Sequence, residues 1–369
     1  MKAHRNITAA MIGLAASLPL VGGAFAGGLE ANGYDWDALF DPATYASKAT
    51  ATYVYINKDV TNAGVQPGVV ATTPSIVYYN AGFKADFLDM ASCLLSVQNP
   101  FGANTARTNA YAALTGQAVN ESIRSTDTGL TCAVGMQTDS GVISVIGGLS
   151  AQNLSYDADV PTTLTTSTPV SISGWSAGWR AGVAYEIPEI ALRVSAIYNS
   201  PVKYDLSGTA YGGAATANVE TPQSIELKAQ TGIAPGWLAL ASVKWVNWNA
   251  LQKLTVDTIG APLVSNLDYR DGWTVTAGVG HAINEQLSIL GLVTWDRGTS
   301  TPGAGGVLMA GSQTDRYGVT LGVGYDISKS VQFTGAVSAS TLVGGTNASG
   351  EQWGTSSVFA VNGGLKASF

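Results

Sequence analysis

Alternation of apolar and polar residues with a period of two runs through most of this 369-residue chain, and few folds accommodate it at that length. At the C-terminus Phe359, Val361, Gly363, Leu365, Ala367 and Phe369 share one face, and Ala360, Asn362, Gly364, Lys366 and Ser368 share the other. Residues 316–326 repeat the pattern, with Tyr317 and Tyr325 closing an apolar row at both ends. Such a row, aromatic at its two ends, is the pattern of a strand facing lipid. After the first residues no apolar run is long enough for a spanning helix.

The N-terminus implies export. Lys2, His4 and Arg5 form a basic region, residues 9–21 are apolar, and Ala24-Phe25-Ala26 fits a cleavage site. Residues 1–26 therefore read as a signal peptide, with a mature start at Gly27. Removing them takes away two basic residues and no acidic one, so the formal charge of −7 becomes −9. That acidic balance argues against nucleic-acid partners. Only 12% of residues are charged, about half the share expected of a soluble protein. A soluble β-sandwich would also alternate, but the signal and the terminal Phe369 speak against it.

Short turns and long polar segments take turns along the chain. The short ones are Asp139-Ser140-Gly141, Ile187-Pro188-Glu189, Ala234-Pro235-Gly236, Ile283-Asn284-Glu285-Gln286 and Asp326-Ile327-Ser328-Lys329. The long ones are 59–74, 100–127, 154–172, 207–218, 250–265, 298–312 and 343–352. Barrels of the outer membrane show this asymmetry, with short turns on the periplasmic side and long loops outside. The strands then fall at 50–58, 75–87, 89–99, 128–138, 141–153, 173–186, 189–206, 219–232, 236–249, 266–282, 286–297, 313–326, 330–342 and 353–369. The expected fold is all-β: a transmembrane antiparallel barrel of about fourteen strands over 49–369, in the cell outer membrane of a Gram-negative-type bacterium. Residues 27–48 lack alternation and read as a short N-terminal hatch or plug. Outer-membrane lipids are its expected surroundings, and Phe369 resembles the C-terminal signal read by the barrel assembly machinery.

Several stretches, in this order and spacing, resemble the FadL-type transporters of long-chain fatty acids and other hydrophobic compounds. Asp41-Pro42-Ala43 sits where that family carries Asn-Pro-Ala in its hatch. Residues 53–60, Tyr-Val-Tyr-Ile-Asn-Lys-Asp-Val, resemble its first strand. Residues 174–186, from Gly174-Trp175-Ser176 to Tyr185-Glu186, resemble a central strand and run on into 202–208. Thr221-Pro222-Gln223-Ser224 through Trp245-Val246-Asn247-Trp248 resembles the next hairpin. The resemblance implies a fourteen-stranded barrel plugged by its N-terminus, acting in passive uptake of hydrophobic small molecules, long-chain fatty acids foremost. This chain departs from the pattern in its shorter hatch and in Asp41.

Enzyme chemistry finds little support. His281 is the only histidine after the signal, without a carboxylate beside it in sequence, and reads as a rim residue. No Cys/His cluster has metal-ligand spacing, and no cofactor motif is present. A charge facing mid-bilayer costs about 2–4 kcal/mol, so Arg180, Arg193, Lys228 and Lys244 are assigned to the lumen. Such bases pair with lumenal carboxylates, for which Glu186 and Glu226 are available, or one or two of them meet a substrate carboxylate. Leu238, Leu240 and Trp248 also point inward, and suit either a hydrophobic passage or packing against the plug. A general hydrophilic porin or a structural or adhesive barrel are the competing functions.

Cys93 and Cys132 flank the loop 100–127 at similar heights, and their alternation puts both on the lipid-facing side. Opposed residues of neighbouring strands have Cβ atoms about 4.5–5.5 Å apart, close to disulfide geometry. A cross-strand bridge is expected, the other possibility being two free thiols.

Overall fold

The computed structural model describes residues 28–87 and 90–369; the expected signal peptide and Gly27 lie outside the described residues, as do Leu88 and Asp89 of one expected turn. Fourteen antiparallel strands form the wall among the described residues. They are β1 (Tyr45–Asn57), β2 (Ile76–Phe87), β3 (Ala91–Gln98), β4 (Asn120–Gln137), β5 (Val142–Pro161), β6 (Ser167–Ile187) and β7 (Leu192–Asn199, continued as Val202–Ala210). The rest are β8 (Gly213–Thr221, continued as Ser224–Ala234), β9 (Trp237–Val246), β10 (Gly272–Ala282), β11 (Leu287–Asp296), β12 (Arg316–Asp326), β13 (Val331–Leu342) and β14 (Ser356–Ser368). Each strand pairs with its sequence neighbours, and β1 pairs with both β2 and β14, which closes the sheet. Tyr45 and Phe369 exchange both backbone hydrogen bonds at the seam, at 3.1 and 2.8 Å. Closure leaves no sheet edge exposed to hydrocarbon, where an unpaired peptide group is costly.

Alternation sorts side chains as the sequence implies. Trp175, Trp179, Val183 and Val194 are exposed on the outer surface, while Arg180 and Arg193 are buried inside. The seam at Phe369 lies at the same end as the short turns. At one of these, Pro235-Gly236, a two-residue connection needs the left-handed backbone, which Gly236 adopts at φ +78°. His281 sits at this end on the outer face, stacked on Trp237 at 4.1 Å.

Two expectations need correction. The wall begins at Tyr45 rather than at residue 49, because Tyr45–Lys48 already pairs with both β2 and β14. The segments expected as loops at 154–172 and 207–218 are largely strand. β4, β5 and β6 run for 18, 20 and 21 residues, about twice what a strand needs to cross a bilayer. Beyond the membrane their polarity inverts. Leu154, Tyr156, Ile172 and Leu206 are buried inside, whereas Asp157, Ser171 and Asp205 face outward. Polar residues there mark a wet outer face rather than a loop.

The loop expected at 100–127 ends earlier, because β4 already begins at Asn120, and it contains a strand, Gly102–Arg107, and a helix, α1 (Asn109–Thr115), capped by the Thr108 side chain and ended by left-handed Gly116. Cys93 and Cys132 are direct partners in the β3–β4 register and are joined by a disulfide, with Cα atoms 4.0 Å apart. The topology makes a testable prediction. An epitope inserted at Ala113, on α1, should be labelled on intact cells, and one at Ser328 only after permeabilisation. The reverse labelling would mean that the barrel is inserted upside down.

Candidate functional site

Residues 28–44 enter the lumen and carry four carboxylates and no base. The wall answers with bases from six strands. Lys244 on β9 pairs with Glu30. Lys48 on β1 reaches Asp35 at 2.8 Å. Arg193 on β7 and Lys228 on β8 converge on Asp37 at 3.7 and 3.3 Å. Lys366 on β14 pairs with Asp41 at 2.8 Å, and Lys84 on β2 donates to the carbonyls of Asp41 and Ala43. Burial alone would raise the carboxyl of Asp35, on the inserted segment, but Lys48 and then Lys228 outweigh it and hold it down to about 2. A depressed carboxylate contributes stability above its unfolded value and loses it only as pH falls through the folded one. This anchorage therefore persists across neutral and mildly acidic conditions.

Asp41-Pro42-Ala43 forms the floor of the inserted segment. The Asp41 carboxylate accepts from the backbone N–H of Ala43 at 2.9 Å, and its other oxygen meets Lys366. A neutral Asn could make the first contact but would leave Lys366 without a countercharge.

Arg180 is held elsewhere. It binds Asp127 at 2.9 Å, donates to Thr131, and lies 4.1 Å above the Trp36 ring. The four bases singled out in the sequence are thus each paired with a lumenal carboxylate, three of them with the inserted segment. Leu240 packs with Leu290 and Leu292, and Leu238 is fully buried on the same lumenal face. Trp248 belongs to a different setting.

Five rings run in contact across the lumen: Trp36, Tyr34, Phe101, Trp248 and Tyr269, with successive centroids 5.5–6.2 Å apart. Phe101 and Trp248 also line a cavity of about 70 Å³ near the long-loop end. Its remaining lining is mostly aliphatic, including Leu29, Leu154, Leu206, Leu251 and Leu254. One side is formed by a hairpin of the strands Lys253–Val256 and Leu263–Asn266. This hairpin is tied to β8 by the paired backbone bonds of Thr216 and Asp257, at 3.0 and 2.8 Å. None of these cavity residues except Trp248 was singled out in the sequence. The inverted alternation of 154–156 and 204–206 is the signal that could have found them.

The wall beside the cavity is interrupted. β2 and β3 pair only from Asn80↔Gln98 downward. Above that, Asn99-Pro100 turns the chain inward and buries Phe101. The inserted segment takes over the pairing: Ala31 and Gly33 donate to the Pro100 carbonyl, and Gly102 donates to that of Leu29. Residues 76–79 of β2 are left with side-chain contacts on this side, such as Tyr79 N–H to Asn99 at 3.1 Å.

Fold and site together define a plugged outer-membrane transport barrel with an apolar cavity. Residues 95–343 match the family model described as outer membrane protein transport protein (OMPP1/FadL/TodX), and the chain belongs to that family. Among solved structures it resembles a FadL homologue of Pseudomonas aeruginosa, with a TM-score of 0.71 and 16% identity over 96% of this chain and 98% of that one. It also resembles the Pseudomonas putida toluene transporter TodX, with 0.64 and 14% over 96% and 99%. The Ralstonia pickettii toluene transporter TbuX gives 0.63 and 13% over 89% and 90%. At these identities the likeness is one of fold. No curated protein matches the chain by sequence.

The ion pairs predict how the inserted segment fails. Asp37→Asn removes the shared partner of Arg193 and Lys228, and breaking a buried pair from one side costs about 3–5 kcal/mol. The barrel should keep its folded, heat-modifiable mobility, while the N-terminal segment becomes cleavable by added protease. Unchanged protection would show that the carboxylate does not hold the segment.

Proposed function

We propose that this protein is a channel for passive uptake of hydrophobic small molecules across the outer membrane. The observation that carries the reading is the mostly apolar cavity, placed between an outward hairpin and an interruption in the wall. A water-filled porin calls for a polar, open lumen. Here the described lumen is crossed by a packed segment, and the cavity is lined by Leu, Phe and Trp.

The cavity also sets a condition for entering it. A dry cavity of roughly 150 Å³ is known to take up benzene, and this one, at about 70 Å³, is smaller than that. A ligand must therefore displace a wall, and the 253–266 hairpin, joined to β8 by the Thr216–Asp257 backbone bonds, is the side proposed to move. From the cavity the apolar route continues along Phe101 to the interrupted β2–β3 ladder. A molecule leaving there reaches the bilayer without crossing the charged floor at Asp41 and Lys366.

Locking the hairpin tests this. Thr216→Cys with Asp257→Cys places two thiols at directly paired positions. Oxidation should reduce uptake of a small aromatic hydrocarbon at least severalfold, and reductant should restore it, with the wild type treated alike as control. Uptake that ignores the lock would rule out passage under this hairpin.

Long-chain fatty acids are the finer reading, with Arg193, Lys228, Lys244 or Arg180 meeting the carboxylate. It requires a base to exchange its protein partner for the substrate. Arg193 is the best placed, since its Asp37 contact is the longest of the four, at 3.7 Å. Arg193→Gln should then weaken uptake of a fatty acid and spare its methyl ester. Equal effects on acid and ester would exclude the carboxylate anchor.

A further inference from the structure

One carboxylate lines the apolar cavity. Glu121 faces it from the upper part of β4, and its ion-pair partner Arg107 stays outside the lining. Tyr156 donates to one Glu121 oxygen at 3.0 Å, and the Arg107 guanidinium donates to the other. Each oxygen so has one protein partner. An ionised carboxylate offers about four acceptor positions, so capacity remains for a further donor. The lining around Glu121 includes Ile123, Leu154, Leu254 and Leu267, and no Lys, Arg or His is among the lining residues. The Arg107–Glu121 pair therefore turns its negative end toward the cavity.

We propose that Glu121 is a specificity-determining residue that selects hydrophobic molecules carrying one hydrogen-bond donor, a phenolic hydroxyl or an amine. This deepens the uptake reading and rests on the cavity being the channel's binding site. A donor on an apolar body meets Glu121 from within a lining that is otherwise mostly apolar. A methyl ether of the same shape fills the same volume and leaves the remaining acceptor positions of the carboxylate without a donor. A carboxylate ligand meets like charge and no cation. Tyr156 and Arg107 act as positioning residues: the hydroxyl and the guanidinium hold the carboxylate in one rotamer.

The test uses the purified full-length mature protein in detergent, with binding read by calorimetry and by the fluorescence of cavity-lining Trp248. The probes are para-propylphenol, its methyl ether and para-propylbenzoate. Hydrogen bonds to charged groups contribute enough that the phenol should bind about tenfold or more tightly than the ether. The benzoate should bind weakest. Glu121→Gln should narrow the phenol's advantage and lessen the penalty on the benzoate. Equal binding of phenol and ether to the wild type would overturn the selection while leaving the uptake reading intact. A folded Glu121→Gln protein with undiminished phenol preference would overturn it too. Binding of none of the three would remove the cavity as the binding site, and the uptake reading with it. Should the variant fail to fold, the wild-type comparison of phenol and ether decides alone.

Discussion

Backbone hydrogen bonding in hydrocarbon leaves this chain no alternative to closure. No water reaches the mid-bilayer to satisfy an exposed peptide group, so the last strand must pair with the first. The β1–β14 register does this over 46–57, and with it the inward or outward direction of every wall residue is set. A slip of one residue anywhere would turn Arg180 or Lys244 toward lipid and Trp179 or Val243 toward the lumen. The pairing that closes the sheet thus also distributes the charge.

That distribution determines what the lumen can hold. Inward bases from β1, β2, β7, β8, β9 and β14 create a field that an uncharged plug could not neutralise. Residues 28–44 supply it with Glu30, Asp35, Asp37 and Asp41 and no opposing base. Each pair is worth less than its Coulomb energy suggests, because both charges were desolvated to make it. Their value lies in position. Glu30 fixes the segment near the cavity and Asp41 fixes it at the floor, so the Tyr34 and Trp36 rings between them meet Phe101 and Arg180 in one arrangement.

How much of this could be read beforehand follows from which faces meet water. Where strands cross lipid, apolar-out and polar-in alternation gave both strand and facing, down to Cys93 opposite Cys132. Above the membrane the outer face is wet and the inner face packs, so the same alternation carries the opposite meaning. Leu154 and Tyr156 lay inside a segment that looked like a loop because Asp157 and Asp159 made it polar, and Leu206 closed an expected strand whose facing was read from its membrane part. The lumenal bases were legible as inward, but their partners were not. Asp35 and Asp37 sit in a segment with no period, and only the closed barrel brings them to Lys48 and Lys228. Glu121 was hidden for the same reason: its meaning depends on Leu254 and Leu267, more than a hundred residues away.

A passive channel gains nothing from holding its cargo tightly, and a cavity of about 70 Å³ sets a limit on tightness. Burying an apolar ring against Phe101, Trp248 and the surrounding leucines is favourable by about 25 cal/mol per Å² of apolar surface. On the proposed route the ligand first needs more room than this cavity offers, so its apparent affinity would scale with the fraction of molecules in which the 253–266 hairpin has moved. Two backbone bonds to β8 and the hairpin's own apolar packing determine that fraction. On the far side, the inserted segment substitutes for the missing β2–β3 pairing through Leu29, Ala31 and Gly33. Its anchoring by Glu30 and Asp35 then governs how readily the wall gap can be exposed. On the proposed route, uptake would pass two closures around an apolar space, and the ion pairs would hold the second of them in register without being consumed by the traffic past it.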